Sequence, residues 1–384
     1  MDLEVRPQLV RGVRLIENKT LFGKKFYVLA CEERDKYIKV PNDRAKYIEL
    51  AIILFNGNMS LFEIIQMYPN IRFEQLYTQL KRAGFVDEYD IPSNEIDIMT
   101  KEIISVSLEK ISNKYRKFFT TYSSVMEKGY AILFLICFVL LIFVGIDIQE
   151  LKTGFATYRD SVFGGVIMLF FSSVLFTLLH ELSHIAVAIK YGKFVEKISL
   201  NLYFGILPMC YVKCKGLNTL QTKEKLHVVI AGIITNFMAA FISLTLLSID
   251  LFSYNTESVL KLIFWGNLFS VFSNLIPTSL SDGYFILSIL LGKYDMKMFI
   301  FKDLFTRNRK LKMKDYMCYL LYLCFFMGSI AMISYSAVIW VNDLFVGTSL
   351  QVRNIAIGLA CIYLLLVFFV TSKKIFRMRK KYEK

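Results

Sequence analysis

The chain has 384 residues and a formal charge of +14; 55% of its residues are hydrophobic, 15% are aromatic, and the mean hydropathy is +0.47. That is too apolar for one soluble domain and too long for a single anchored helix. The basic residues fall between apolar stretches, where they read as topology signals and not as a nucleic-acid footprint. The opening MDLEVRPQLVRGVR has no apolar core, so no cleavable signal peptide is expected. Seven cysteines are an odd number, and Cys137, Cys318, Cys324 and Cys361 lie within apolar runs. This argues for a reducing cytoplasmic face and against a disulfide framework.

Residues 1–95 read as a small α+β domain. Phe26-Tyr-Val-Leu29 is a strand-like run after Gly23. A helical pattern follows over Arg44–Phe55 and ends at Gly57. A second helix starts at Ser60, which with Glu63 forms a capping box. A third helix covers Phe73–Ala83, and Phe85-Val86 is a returning strand. The order predicts a winged-helix-like fold. Its third helix offers only Lys81 and Arg82 to a phosphate backbone, so no nucleic-acid partner is expected. Residues 96–128 are basic and amphipathic, and are expected to link this domain to the membrane along its surface.

Six apolar stretches follow: Tyr130–Ile146, Ser161–Ile189, Leu226–Ile249, Val259–Ile276, Met317–Val341 and Asn354–Val370. Their lengths approach the ~20 residues that cross a bilayer. Lys190–Lys225, Lys293–Lys314 and the tail KKIFRMRKKYEK are rich in Lys and Arg, whereas the alternate loops are poor in them. The pattern predicts an α-helical polytopic protein of the cell membrane with both termini cytoplasmic. Its membrane domain spans residues 129–372 with six crossings, and a basic cytoplasmic tail covers 373–384.

The chemistry sits late in the second stretch, in His180-Glu-Leu-Ser-His184. Imidazoles four residues apart share one helix face and can bind one zinc ion, while Glu181 can take a proton from its water. Ionisable groups within a bilayer are costly and usually functional. A catalytic zinc needs three protein ligands and an open position. The best third ligand is Asp282 in Asn274-Leu-Ile-Pro-Thr-Ser-Leu-Ser-Asp282-Gly283, where Pro277 breaks the fourth stretch and Gly283 permits a tight backbone. Asn274 can donate a hydrogen bond to a substrate carbonyl. Other polar residues read more plainly. His227 is an interfacial structural residue, Cys210 and Cys214 are incidental thiols, and Gly232 and Asn236 allow close helix packing.

HELSH together with NLIPTSLSDG resembles the site-2 protease family of intramembrane zinc metallopeptidases, and Ala231-Gly-Ile-Ile-Thr-Asn236 resembles that family's small-residue helix. The resemblance covers about Phe163 to Leu291. It implies His180, His184 and Asp282 as ligands of one zinc per chain, Glu181 as general base and Asn274 in substrate positioning. No PDZ insertion is evident, which departs from many signalling members. The amino-terminal KKFYVL, LFNGNMSLFEII and LYTQLKRAGFV are similar to PqqD-like elements that bind leader peptides. Together the halves look like bacterial peptide-maturation metallopeptidases. This implies a precursor peptide held by residues 1–95, alongside an exporter or a modifying enzyme. Two alternatives stand beside this reading: a regulatory protease cutting another protein's transmembrane segment, and a non-enzymatic peptide-binding scaffold or export helper. A transporter lacks the internal repeat expected of many carriers.

Overall fold

A computed structural model describes residues 3–87, 100–108, 114–145, 162–203, 207–249, 251–277 and 281–291, a few single positions apart, with isolated helical positions between 317 and 365. The amino-terminal part opens with an antiparallel sheet, β1 (Val13–Lys19), β2 (Lys25–Cys31) and β3 (Lys36–Val40), in that order. Helices α1 (Asn42–Leu54), α2 (Leu61–Met67) and α3 (Phe73–Arg82) pack against it. The sheet therefore has two strands more than the run at Phe26 announced. Charged residues punctuate β1 and β3 because both are half exposed, whereas β2 is buried on both faces from Val28 to Cys31. Leu29, Phe55, Phe73, Tyr77, Leu80 and Phe85 fill the core, with the Phe55 ring 5.9 Å from Phe73 and 6.1 Å from Tyr77. The Ser60–Glu63 capping box is present: Ser60 N–H donates to Glu63 Oε2 at 2.7 Å and Glu63 N–H to Ser60 Oγ at 3.3 Å. Phe85-Val86 returns only as a bridge from Val86 to Leu9.

The stretch expected to be an amphipathic linker is different. Thr100–Ser107 forms β4, and Arg116 already begins α4 (Arg116–Val144). Ile103, Ile104 and Val106 are β-branched and pair more readily than they coil. Helix α5 (Val162–Lys190) follows, then the hairpin β5 (Phe194–Tyr203) and β6 (Leu207–Lys215). The three strands form an antiparallel sheet in the order β4-β5-β6. A segment read as a basic loop is thus largely strand, and Ile198, Leu200 and Leu202 alternating with Lys197, Ser199 and Asn201 carry the period-two signal. A 3-10 turn (Leu217–Thr219) leads into α6 (Thr222–Ser248), α7 (Tyr254–Leu275) and α8 (Asp282–Leu291). Among the described residues four helices are long and apolar enough to cross a membrane, by length and composition: α4, α5, α6 and α7. They coincide with the first four expected stretches. Met317–Val341 and Asn354–Val370 fall almost wholly outside the described residues, as do the Lys293–Lys314 loop, the tail and the boundary at residue 95.

The two sheets are joined through the start of α6. Asn18, fully buried in β1, donates from Nδ2 to Leu220 O at 2.6 Å and accepts from Thr222 N–H at 3.2 Å. A residue more than two hundred positions upstream therefore caps the helix, beside the local box in which Gln221 N–H donates to Glu224. Glu32 Oε1 accepts from Arg14 at 2.6 Å, Thr219 at 3.0 Å and Lys193 at 3.1 Å, and Gly216 N–H donates to the Tyr37 hydroxyl at 3.1 Å. Partial burial pushes the Glu32 carboxyl up, but the hydrogen bonds from Lys193 and Arg14 outweigh it and hold the group below its ordinary value. A depressed carboxyl stabilises docking above the ordinary carboxylate range, and that contribution is lost as the pH falls through the lowered value.

Two outcomes follow for this joint. Asn18→Ala orphans Leu220 O and the Thr222 N–H, at about 1–3 kcal/mol for each group left unsatisfied. Amide hydrogen exchange at Leu220–Glu224 should rise while exchange in the core around Phe55 stays unchanged. Glu32→Gln should flatten the acid-side loss of protection at the same amides.

Candidate metal centre

His180 and His184 lie one turn apart on α5, and Asp282 is the first residue of α8. The helices bring them together. His180 Nε2 is 3.1 Å from His184 Nε2 and 3.1 Å from Asp282 Oδ2, and His184 Nε2 is 3.4 Å from Asp282 Oδ2. The three side chains are only 7%, 12% and 15% exposed. Among the described residues this is the one group of three or more His, Cys, Asp or Glu that can hold a metal ion. A tetrahedral ion bound at about 2.0–2.1 Å places neighbouring donors roughly 3.3–3.4 Å apart, so the triangle has the right size.

The tautomers also fit. His184 Nδ1 lies 2.7 Å from Val228 O, and a carbonyl can only accept, so Nδ1 carries the proton and Nε2 presents a lone pair. His180 Nδ1 lies 3.1 Å from the Asn236 carboxamide, whose other contact is Ser270 Oγ at 2.7 Å. Asn236 is 1% exposed, and its Oδ1 has no partner as placed. A half-turn of the carboxamide presents that oxygen to His180 Nδ1–H, which again leaves Nε2 free for a metal. Asp282 Oδ2 is likewise buried without a hydrogen-bond donor. The donor set therefore fits a zinc ion.

Two glycines allow the approach. A Cβ on Gly232 would lie 2.5 Å from His184 Nε2 and 2.6 Å from His180 Nε2, so α6 presses bare backbone against both rings. A Cβ on Gly283 would lie 2.7 Å from Leu275 C and 2.8 Å from Asn274 O, so only glycine lets α8 start against the end of α7. Gly283 is therefore needed for close approach, since it is not among the positive-φ glycines. Ser281 caps α8, accepting from Tyr284 N–H at 3.3 Å, which fixes Asp282 at the helix start. A hydroxyl chain locks the helices below: Ser183 Oγ is 2.7 Å from Thr235 Oγ1, which accepts from the Tyr130 hydroxyl at 3.2 Å.

Glu181 is partly buried between the two histidines in sequence, and Asn274 lies in the last turn of α7. Gly232 and Asn236, expected to allow close helix packing, both meet the imidazoles: Gly232 faces His180 and His184, and Asn236 bonds His180. With Val228 they form a stripe at successive four-residue spacings on α6, and that periodicity is visible in the sequence. His227 bonds elsewhere, to the Tyr191 hydroxyl at 2.7 Å, with Glu127 at 3.4 Å. Cys210 and Cys214 form no disulfide, and burial pushes the Cys214 thiol up to about 12, which keeps it protonated. A cleft of about 660 Å³ opens beside the centre, with walls from β3, β6, α6 and α8.

The chain is 30% identical over 203 residues to a Bacillus subtilis (strain 168) protein named "Putative peptide zinc metalloprotease protein YydH", and the match covers 51% of this chain and 76% of that protein. The chain belongs to the YydH family. No family model and no solved structure matches it. In this YydH-family chain the two histidines and the aspartate come from separate helices, and the stripe on α6 holds them in register.

That stripe is open to test. Gly232→Ala should lower zinc affinity by more than the ~10–100-fold typical of changes around a metal's ligands, because the added methyl displaces both imidazoles. Asn236→Ala should fall within that range. Chelator competition on the purified protein, with zinc read by mass spectrometry, checks both. Equal affinities for wild type and Gly232→Ala would contradict the packing described.

Proposed function

We propose that this chain is a membrane-embedded zinc endopeptidase of the site-2 protease type that removes the leader from a ribosomally made, modified peptide. His180, His184 and Asp282 hold one zinc ion. The observation that carries the reading is the triangle of three buried lone-pair donors beside Glu181. Zinc bound there supplies Lewis-acid polarisation of the scissile carbonyl and brings the pKa of water toward ~7. The Glu181 carboxylate accepts a proton from the attacking water and delivers it to the leaving nitrogen. Val228 O and Asn236 orient the imidazoles, and Asn274 donates to the scissile carbonyl oxygen.

The amino-terminal domain holds the precursor in the manner of PqqD-like elements. β3 is an outer strand of its sheet among the described residues and borders a groove of about 510 Å³. Ile38 and Val40 of β3 line it opposite Gln75 and Gln79 of α3. A leader adding as a further strand there gains backbone hydrogen bonds from the edge and side-chain contacts from α3. The membrane domain crosses the bacterial cell membrane six times, with Met317–Val341 and Asn354–Val370 as the last spans and both termini cytoplasmic. An exporter or a modifying enzyme acts on the same precursor.

Glu181→Gln should keep about one zinc per chain and lose about 10²–10⁴ in cleavage rate. Asp282→Ala should lose both metal and cleavage. Asn274→Ala should keep the metal and lower kcat by about 10²–10³. Purified variants incubated with candidate precursors, with products identified by mass spectrometry, check all three. Equal cleavage by wild type and Glu181→Gln rejects the mechanism, and an unchanged kcat for Asn274→Ala removes that residue from it.

A further inference from the structure

The 660 Å³ cleft beside the metal centre is bounded by parts of the chain far apart in sequence. On one side stand β3, contributing Lys36 and Ile38, and the end of α3, contributing Arg82. On the other stand β6, contributing Lys213, and helices α6 and α8, contributing Lys225 and Ser288. Ile38 also lines the groove over β3, so the two hollows meet at one residue. The cleft is also lined by Val228, whose carbonyl accepts from His184, and by Tyr284, two residues after Asp282. Both β3 and β6 are outer strands of their sheets. No carboxylate lines the cleft; of its basic residues Lys213 is ion-paired with Glu196 at 2.9 Å and Lys225 is only 5% exposed, so Lys36 and Arg82 carry its positive charge.

We infer that this cleft takes an extended, acidic peptide segment and conducts it from the β3 groove to the metal centre. The inference rests on the peptidase reading and names its substrate class. An extended backbone suits a narrow passage between two strands, and acidic side chains suit a mouth that presents Lys36 and Arg82 and no carboxylate. A basic segment meets like charge there.

Binding is read in full-length Glu181→Gln protein in detergent micelles, where no turnover is needed. The probes are a fluorescein-labelled peptide of alternating Glu and Val and its counterpart with Lys for Glu. The Glu peptide should bind at least about ten-fold tighter, with the difference shrinking as salt is raised. The double variant Lys36→Glu with Arg82→Glu should abolish or reverse that preference. A photoreactive benzoylphenylalanine at Ile38 or Ser288, with Lys36 and Arg82 in place, should crosslink to the Glu peptide, whereas one at Phe143 on α4 should not. Equal binding of the two probes, or crosslinking no stronger at Ile38 and Ser288 than at Phe143, overturns the inference even if the double variant misfolds. The two readings fail separately. Cleavage of a precursor with KM unchanged in a folded double variant sinks the cleft and leaves the peptidase standing. Charge-selective binding without turnover of any precursor by wild type does the reverse.

Discussion

Three lone pairs facing one another in a buried pocket repel, and that repulsion is the constraint on which the surrounding structure depends. His180 Nε2, His184 Nε2 and Asp282 Oδ2 lie 3.1–3.4 Å apart, close enough to repel unless a proton or a metal cation sits among them. In a low-dielectric interior such an arrangement is unfavourable without a cation and strongly favourable with one. The protein therefore has to hold it by force of packing. Val228 O and Asn236 fix the ring orientations, and the two glycines let three helices come closer than side chains would allow. Ser183, Thr235 and Tyr130 add a polar chain that resists sliding of α5 past α6.

Helix α6 is the member that joins this centre to the rest of the molecule. Its first turn is capped by Asn18 from the amino-terminal sheet, and its Gly232 meets the histidines about 15 Å further along the axis. A helix is stiff over that length, so docking of the amino-terminal domain and placement of the metal ligands share one rigid element. Glu32 reinforces the joint by gathering Arg14, Lys193 and Thr219 around one carboxylate oxygen. Neither half of the chain makes this joint alone: Asn18 needs the start of α6, and Leu220 O and the Thr222 N–H need Asn18. The β3 groove consequently keeps a fixed position relative to the metal ligands.

What could be read from the sequence follows from range. The HELSH pair is local, four residues on one helix, and the four helices that coincide with expected spans are long apolar runs. The α-helices of the amino-terminal domain carry their own punctuation in Ser60, Glu63 and Gly84. Asp282 was reachable because its segment breaks an apolar run at Pro277. The sheet β4-β5-β6 is hidden in the sequence despite the alternation over β5, because Lys193, Lys197, Lys213 and Lys215 have the density of loop charges. The pairing of β4 with β5 bridges about a hundred residues, for example Glu102 opposite Asn201, and no local pattern announces such a contact. Asn18 as a cap on α6 is harder still, since an asparagine in a strand gives no hint of a partner two hundred residues away. Asn236 and Gly232 could be placed on one face of α6, but only the histidines opposite give that face its meaning.

The basic residues of the segment between α5 and α6 show why composition alone misassigns charge. Lys213 and Lys225 count toward the positive bias of a loop, and that bias is a statement about membrane orientation. Their positions make a narrower one: both line the cleft that also includes Val228 and Tyr284, and Val228 O accepts from His184. A peptide bond has to leave its helix before its carbonyl can be attacked, because an intact helix spends that carbonyl on the amide four residues on. Near a membrane interior an extended chain then needs other partners for its backbone, since water is scarce there and each unpaired group costs several kcal/mol. Strand edges supply such partners, and β3 and β6, each an outer strand of its sheet among the described residues, both contribute to the cleft walls.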